Sequence, residues 1–333
     1  MILHPAVIAL LLGSLLVTLM IVYAAFWGWK ILDGWDLQSG SERQLALEKK
    51  TYLVSALMIY AFGFQILSFF LFVYVADDLH RLFVGAMCAA GTLNVNENGY
   101  PAAVLKVLNC VLAGVWLVLN YTDNRARDYP LIRKKYALLL AIVPFLLLET
   151  EQLWSYFLNL KANVITSCCG SLFSTEEEGV AAGLAALPVL PMQAAFFALM
   201  AITLVSGVYF LLKGKCGKLF AVAGTLAFPV SVAALISFIA LYFYELPTHH
   251  CPFCVLQREY HYVGYLIYVT VLGGGIAASG VWALMPFRSV ESLQEILPSI
   301  QHRLAGTVLT LYAVFVLLVI FRMLFSDFIL ATY

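Results

Sequence analysis

Charged side chains are scarce in this sequence. Asp, Glu, Lys and Arg make up 11% of the 333 residues, whereas a soluble domain has about 25%. Hydrophobic residues reach 63%, aromatic residues 14% and the mean hydropathy +0.92. This composition excludes an ordinary soluble domain and predicts an integral membrane protein. The formal net charge is zero, so nothing indicates nucleic-acid binding.

Cysteine is sparse too, and the sequence has no polar linker or low-complexity segment. Seven cysteines are too few for a disulfide scaffold, so their role depends on the compartment in which they lie. Because no linker divides the chain, we expect residues 1–333 to form a single membrane domain. The first apolar run has no basic region before it and no clear cleavage site, so we expect a retained helix.

Long apolar runs are the main feature of the sequence. A helix needs about 20 apolar residues to span a bilayer, and the short alternating segments of a membrane barrel are not seen. We therefore predict an all-α polytopic protein with about eight transmembrane helices. The runs cover roughly residues 5–28, 52–75, 102–120, 136–158, 188–212, 219–244, 262–284 and 304–326.

The basic residues are distributed unevenly between the two sides. The loops after the odd-numbered runs hold fourteen Lys and Arg residues, and the other loops hold three, namely Arg81, Lys161 and Arg258. Because cytoplasmic loops are rich in Lys and Arg, both termini are expected to face outward, to a periplasm or its equivalent. Lys106 and Arg322 lie within apolar runs, and we expect them to snorkel to the outer interface.

This topology gives each cysteine a predicted environment. Cys216 is expected on the cytoplasmic side, and Cys110 lies inside the third run. The remaining five are expected on the oxidising outer side, where disulfides persist: Cys88, Cys168, Cys169, Cys251 and Cys254.

The stretch HHCPFCVLQREYHYVGY, residues 249–265, carries the most chemistry. A C-x-x-C pair at the start of a helix can form a labile disulfide, because the helix N-terminus stabilises a thiolate. Cys251 and Cys254 are therefore predicted to cycle between dithiol and disulfide, with Cys251 the more exposed. The alternatives are a structural disulfide, two buried thiols, and a zinc or copper site made by His249, His250, Cys251 and Cys254.

Cys168 and Cys169 lie in the longest outer loop, residues 159–187. A disulfide between adjacent cysteines is strained, so each is expected to pair elsewhere. A loop dithiol that meets the Cys251/Cys254 pair would allow thiol–disulfide exchange. The alternative is a structural bond from Cys168 or Cys169 to Cys88.

The segment CPFCVLQR resembles the C-x-x-C-x-x-x-R signature of DsbB-type quinone-linked disulfide oxidases. The order of the cysteines along the chain resembles that of vitamin K epoxide reductase-like proteins, which have a four-helix bundle. This resemblance implies a redox bundle of helices 4–7, residues 136–285. Residues 1–135 would then hold accessory helices, and residues 286–333 an amphipathic segment, with Val290, Leu293, Leu297 and Ile300 at helical spacing, followed by helix 8.

The same resemblance implies a cofactor and a partner. Arg258, with the neighbouring Gln257 and His261, would bind a membrane quinone, either ubiquinone or menaquinone. The dithiol partner would be a periplasmic thioredoxin-like protein or another dithiol protein, and the membrane a bacterial inner membrane. Glu149 and Glu151 lie within an apolar span, where acids are costly and usually functional, so we assign them to a proton route. The alternative is that these acids are buried and hydrogen-bonded to a neighbouring helix.

Together these features favour a membrane thiol–disulfide oxidoreductase that passes electrons from a dithiol partner to a quinone. Two other classes remain open. One is a metal-handling membrane protein that uses the same cysteines and histidines, and the other is a non-catalytic subunit that docks other membrane chains.

The predicted topology can be tested by labelling single engineered cysteines in intact cells. A membrane-impermeant maleimide should label sites in the loop 159–187 and should leave a site beside Lys215 unlabelled until the membrane is permeabilised. The reverse pattern would contradict the assignment of the cysteines to the outer side.

Overall fold

The computed structural model describes residues 3–37, 39–161, 164–166 and 180–328, with the backbone alone for 180–182. Within these residues the chain is helical and has no strand. Eight helices in these described ranges are long and apolar enough to cross a membrane, which confirms the predicted all-α polytopic membrane fold. They are α1 (Pro5–Gly34), α2 (Glu42–Asp78), α3 (Gly99–Asp123), α4 (Ile132–Leu158), α5 (Val189–Lys213), α6 (Gly217–Ala234), α7 (Val263–Leu284) and α8 (Leu297–Phe325).

Short elements connect or extend these helices. Helix α6 continues through a π-helical turn, Leu235–Ile239, into Ala240–Tyr244. A short helix, Ala89–Leu93, follows α2, and another, Val180–Ala185, precedes α5. The segment before α8 consists of two 3₁₀ turns, Met285–Ser289 and Glu291–Leu293. Of the apolar residues expected there in an amphipathic segment, Leu297 and Ile300 belong to α8 itself.

The chain divides into two compact units. The first contains residues 1–72, 96–160 and 283–301, and the second contains residues 73–95, 161–282 and 302–333. Helix α4 therefore belongs with α1 and α3, whereas α5, α6 and α7 belong to the second unit. This grouping differs from the redox bundle of helices 4–7 and from the boundaries at 135 and 285 that the sequence suggested.

Aromatic packing and buried polar groups hold the first unit together. The rings of Phe62 on α2 and Trp116 on α3 meet edge to face with centroids 5.2 Å apart. The indole N–H of Trp116 donates to the carbonyl of Lys135. Near one end of α4, the Lys135 ammonium pairs with Asp123 at 2.7 Å, and both side chains are fully buried. These two buried charges thus neutralise each other inside the protein, as burial in an apolar environment requires.

A second buried ion pair lies further along the same helices. Lys106 Nζ on α3 lies 2.9 Å from Glu149 Oε1 on α4, and both side chains are buried. Lys106 also donates to Ser68, while Gln65 and Asn109 donate to Glu149 Oε2. The expectation that Lys106 snorkels to the interface is wrong, because a carboxylate on the neighbouring helix satisfies its charge inside the protein.

The two acids assigned to a proton route lie in different surroundings. Glu149 is buried and receives hydrogen bonds from neighbouring helices, as the alternative foresaw. Glu151 is exposed and accepts hydrogen bonds from Gln152 and Ser155 on its own helix. A role for Glu149 and Glu151 in proton transfer stays a prediction.

The second unit packs aromatic rings against small residues. The ring of Phe196 on α5 contacts those of Phe238 and Phe315, with centroids 5.8 and 5.6 Å apart. The Tyr312 hydroxyl on α8 donates to the carbonyl of Gly224 on α6 at 3.0 Å. A Cβ atom on Gly274 would overlap the Tyr312 ring. Small residues thus let α6, α7 and α8 approach closely, as is common between membrane helices.

The Lys106–Glu149 pair should show strong coupling in a double-mutant cycle. Lys106→Met or Glu149→Leu alone leaves one buried charge without its partner and should cost about 3–5 kcal/mol. The double variant should cost much less than the sum of the two single variants. Unfolding of the protein in detergent micelles would measure these differences.

The exposed Glu151 offers a matched control on the same helix. Glu151→Leu should change stability by no more than about 0.5 kcal/mol. Additive losses in the Lys106/Glu149 double variant would contradict a coupled ion pair.

Candidate functional site

Three buried cysteines meet in the second unit. Cys88 Sγ lies 3.6 Å from Cys251 Sγ, and the sulfurs of Cys88, Cys251 and Cys254 all lie within 4.8 Å of one another. An S–S bond is about 2.05 Å long, and no disulfide joins these three residues. The described chain therefore brings the predicted C-x-x-C pair together with a third cysteine, which the sequence suggested only as a structural partner of Cys168 or Cys169.

The cysteine pair lies in a loop and not at the start of a helix. Cys254–Leu256 and Arg258–Tyr260 form two 3₁₀ turns, and α7 begins only at Val263. The expectation that the pair opens the helix is wrong, because His261 and Tyr262 adopt left-handed backbone angles, with φ of 53° and 57°, and these interrupt the helical path. The expectation that Cys251 is the more exposed is also wrong, since Cys251 is 0% and Cys254 5% exposed.

A tyrosine hydroxyl organises the cysteine loop. Tyr244, at the end of the helix that precedes the loop, donates to the carbonyl of Cys251 at 2.6 Å and accepts the N–H of Val255 at 2.8 Å. The Tyr268 hydroxyl on α7 donates to the carbonyl of Pro252 at 2.9 Å. These three bonds fix the backbone on both sides of the C-x-x-C pair.

Glycine allows the loop to pack against α7. A Cβ atom on Gly264, in the first turn of α7, would lie 2.9 Å from the backbone nitrogen of Leu256. That approach is closer than a side chain tolerates. The glycine thus lets the segment after Cys254 lie directly on the helix.

Two side chains hold Cys88 against this loop. The Asp77 carboxylate accepts the N–H of Ala89, next to Cys88, at 3.2 Å. Gln257 Nε2 donates to the carbonyl of Met87 at 2.6 Å and lies 3.5 Å from Asp77 Oδ1. Gln257, assigned from the sequence to the quinone site, thus links the C-x-x-C loop to the Cys88 segment.

One of the two adjacent histidines faces the cysteines. His249 Nε2 lies 3.3 Å from Cys254 Sγ, and its ring packs edge to face on Tyr244. Burial lowers the pKa of His249, as does neighbouring His250, while Cys88 opposes this shift. The His249 imidazole is therefore neutral at pH 7 and has a ring nitrogen available to accept a proton or bind a metal.

His250 is directed to a different group. Its Nδ1 lies 2.9 Å from the carbonyl oxygen of Ile236 in the π-helical turn, and its side chain is buried. The metal alternative drawn from the sequence included both histidines. Only His249 is in contact with a cysteine sulfur of this cluster.

Four other predicted site residues are either exposed or lie outside the described residues. Arg258 and His261 are exposed. Cys168 and Cys169 lie outside the described residues. The described chain before them ends at Thr166, whose N–H donates to the carbonyl of Val84 at 3.1 Å and whose hydroxyl donates to that of Gly91 at 2.8 Å. The chain leading to Cys168 is thus anchored on the segment that carries Cys88.

Local sequence patterns contain little signal for Cys88, Tyr244 and Asp77. Cys88 lies 163 residues before Cys251, so no local spacing connects them. Tyr244 is one of 18 tyrosines, many of them in apolar runs where aromatic residues are routine. No family model, curated protein or solved structure matches this chain.

Removal of the Tyr244 hydroxyl should loosen the cysteine loop. In Tyr244→Phe the buried Cys251 carbonyl and Val255 N–H each lose a partner, at a cost of about 1–3 kcal/mol per group. Cys251 and Cys254 should then react faster with a maleimide in the folded protein, as followed by mass analysis of peptides.

Tyr312→Phe is the matched control, because it removes a buried hydroxyl of the same unit that bonds outside the loop. Its cysteines should react at the wild-type rate. Equal rates in Tyr244→Phe and the wild type would show that the hydroxyl does not hold the loop.

Proposed function

We propose that the protein is a membrane thiol–disulfide oxidoreductase in which Cys88, Cys251 and Cys254 form one exchange centre. The observation that supports this proposal most directly is the 3.6 Å separation of the Cys88 and Cys251 sulfurs, with Cys254 in the same buried cluster. Exchange needs a thiolate close to a disulfide sulfur. Three cysteines at these distances allow a disulfide to move among them with small side-chain shifts.

The proposed exchange step involves three sulfurs. When Cys251 and Cys254 are joined, the Cys88 thiolate attacks Cys251, a Cys88–Cys251 bond forms, and Cys254 leaves as a thiolate. The exchange conserves electrons and disulfide bonds. Neutral His249, whose Nε2 lies 3.3 Å from Cys254, is placed to take the proton of the Cys254 thiol, and the imidazolium that this forms can return the proton to the Cys254 thiolate. The reverse step restores the Cys251–Cys254 disulfide.

A quinone is the proposed oxidant of the centre, as the resemblance to DsbB-type oxidases implies. The Cys251/Cys254 dithiol loses two electrons and two protons and forms a disulfide, while the quinone gains both and becomes a quinol. Exposed Arg258, four residues after Cys254, is proposed to contact the quinone head group, and His261 to lie beside it. Gln257 is instead proposed to position Cys88.

The electrons are proposed to come from a dithiol protein on the outer side of a bacterial inner membrane. Cys168 and Cys169 would accept them first, in the order that the vitamin K epoxide reductase-like proteins suggest. The anchoring of Thr166 beside the Cys88 segment supports this route, since it fixes the start of their loop near the exchange centre. Cys88 is then the proposed link between the loop cysteines and the C-x-x-C pair.

The proposal predicts a trapped disulfide. In Cys254→Ala, Cys88 and Cys251 are the two neighbouring thiols of the centre that the quinone can oxidise, so oxidation with a soluble ubiquinone analogue should form a Cys88–Cys251 disulfide directly, and this bond should accumulate because Cys254 is not there to resolve it. Non-reducing peptide mass analysis should detect it. In the otherwise wild-type protein, addition of the quinone to the reduced form should yield one quinol for every two thiols lost.

Cys216→Ala is the matched control, because Cys216 is exposed and lies between α5 and α6. It should reduce quinone at the wild-type rate. If reduced wild-type protein forms no quinol and Cys254→Ala traps no disulfide, the oxidoreductase proposal fails.

A further inference from the structure

The reduced cysteine centre has the composition of a metal site. Cys88, Cys251 and Cys254 supply three sulfurs within 4.8 Å of one another, and His249 supplies an imidazole nitrogen 3.3 Å from one of them. Three thiolates and one imidazole form a common ligand set for structural zinc. Its members come from two segments of the second unit, residues 88 and 249–254.

The distances are close to those of a tetrahedral site. Zn–S bonds of about 2.3 Å and Zn–N bonds of about 2.0–2.1 Å place neighbouring sulfurs roughly 3.8 Å apart and sulfur and nitrogen roughly 3.6 Å apart. The Cys88–Cys251 and His249–Cys254 separations are 3.6 and 3.3 Å. Small movements would therefore place the three sulfurs around one ion, whereas the His249 ring nitrogen, which lies against Cys254, must also move closer to the other two sulfurs.

The surroundings of the three cysteines and His249 favour the binding of a metal ion by these four side chains. All three cysteines are buried, and the hydrogen bonds of Tyr244 and Gln257 fix the two segments that carry them. A ligand set held in place before the metal arrives loses less conformational freedom on binding. His249 is half-buried, whereas the three cysteines are buried.

We propose that the reduced protein binds one Zn²⁺ through Cys88, Cys251, Cys254 and His249. Binding converts three thiols to thiolates and releases three protons to solvent. His250 is not in the proposed set, because of the two histidines it is His249 whose ring nitrogen lies beside a cysteine sulfur, whereas the Nδ1 of His250 faces the carbonyl of Ile236. This set replaces the His249, His250, Cys251 and Cys254 set that the sequence alone suggested.

The same sulfurs cannot bind Zn²⁺ as thiolates and form a disulfide at once. Zinc therefore holds the centre in the reduced state, and oxidation of any two of its cysteines expels the ion. This competition rests on the proposed function, whereas the ligand set does not. It makes Zn²⁺ an inhibitor of the exchange reaction.

The test uses the full-length protein with Cys168, Cys169 and Cys216 changed to alanine, so that other thiols outside the helices contribute no zinc binding. The reduced protein in detergent is dialysed against Zn²⁺ and then against buffer, and its zinc is measured by mass spectrometry. It should retain one Zn²⁺ per chain. Loading with Co²⁺ should give the thiolate charge-transfer and tetrahedral absorption bands of a sulfur-rich site.

The two histidines provide the matched pair of variants. His249→Ala should weaken Zn²⁺ binding by at least about tenfold, since even the loss of an outer-shell partner costs about 10–100-fold. His250→Ala should bind as the wild type does. The zinc content and the Co²⁺ spectrum are also measured on the wild-type protein, so misfolding of the triple cysteine variant does not decide this test.

Three results would overturn the proposed site: no retained zinc in the reduced protein, a Co²⁺ spectrum without thiolate bands, or equal effects of His249→Ala and His250→Ala. A separate arm adds the quinone analogue to zinc-loaded and zinc-free protein that retains all its cysteines. Slower quinol formation in the zinc-loaded protein supports the competition. If the reduced protein binds zinc but the zinc-free protein forms no quinol, the metal site is supported and the proposed oxidoreductase activity is refuted.

Discussion

The absence of water from a bilayer interior governs this structure, because every polar group carried into an apolar helix must find its partner within the protein. In the first unit this rule pairs Lys106 with Glu149 and Lys135 with Asp123. In the second unit it directs the hydroxyls of Tyr244 and Tyr312 to backbone carbonyls. Each of these ion pairs and hydrogen bonds joins two separate segments of the chain, so the buried polar side chains also hold those segments together.

The cysteine centre follows from the same rule. A loop that contains two left-handed residues and two 3₁₀ turns leaves backbone groups without helical partners, and Tyr244 and Tyr268 supply those partners. Gln257 and Asp77 then fasten the Cys88 segment to the loop. The exchange chemistry proposed for the sulfurs thus depends on hydrogen bonds from side chains, such as those of Tyr244 and Gln257, that take no part in the reaction.

The sequence predicted the helices well, because hydropathy is a property of each segment alone. The third run, placed at 102–120, is Gly99–Asp123 in the structure, and the fifth, placed at 188–212, is Val189–Lys213. The seventh run, placed at 262–284, is Val263–Leu284, but the break between the C-x-x-C pair and this helix was missed, since a positive φ is uncommon for any residue other than glycine.

The site was predicted only in part for a different reason. Its central pair lies within one short motif, but Cys88 and Lys106 find partners that are 163 and 43 residues away along the chain. Such pairings depend on how helices pack, and one sequence contains no local pattern that encodes them. The choice between His249 and His250 was likewise invisible, because it depends on the direction of each side chain.

The π-helical turn Leu235–Ile239 has a consequence for how this chain tolerates insertions and deletions. A π turn contains one residue more than an α-helical turn, so each residue after it is rotated by about 100° relative to an uninterrupted α-helix. Tyr244 lies five residues beyond that turn and reaches the cysteine loop in this rotated register. Loss of a single residue from the π turn would regularise the helix and keep the Tyr244 hydroxyl directed at Cys251, because the deletion and the loss of the π turn shift the register by one residue in opposite senses. Loss of a residue from an α-helical turn of α6 would instead rotate Tyr244 by about 100°, so the π turn is the point of this helix at which a one-residue deletion preserves the cysteine loop.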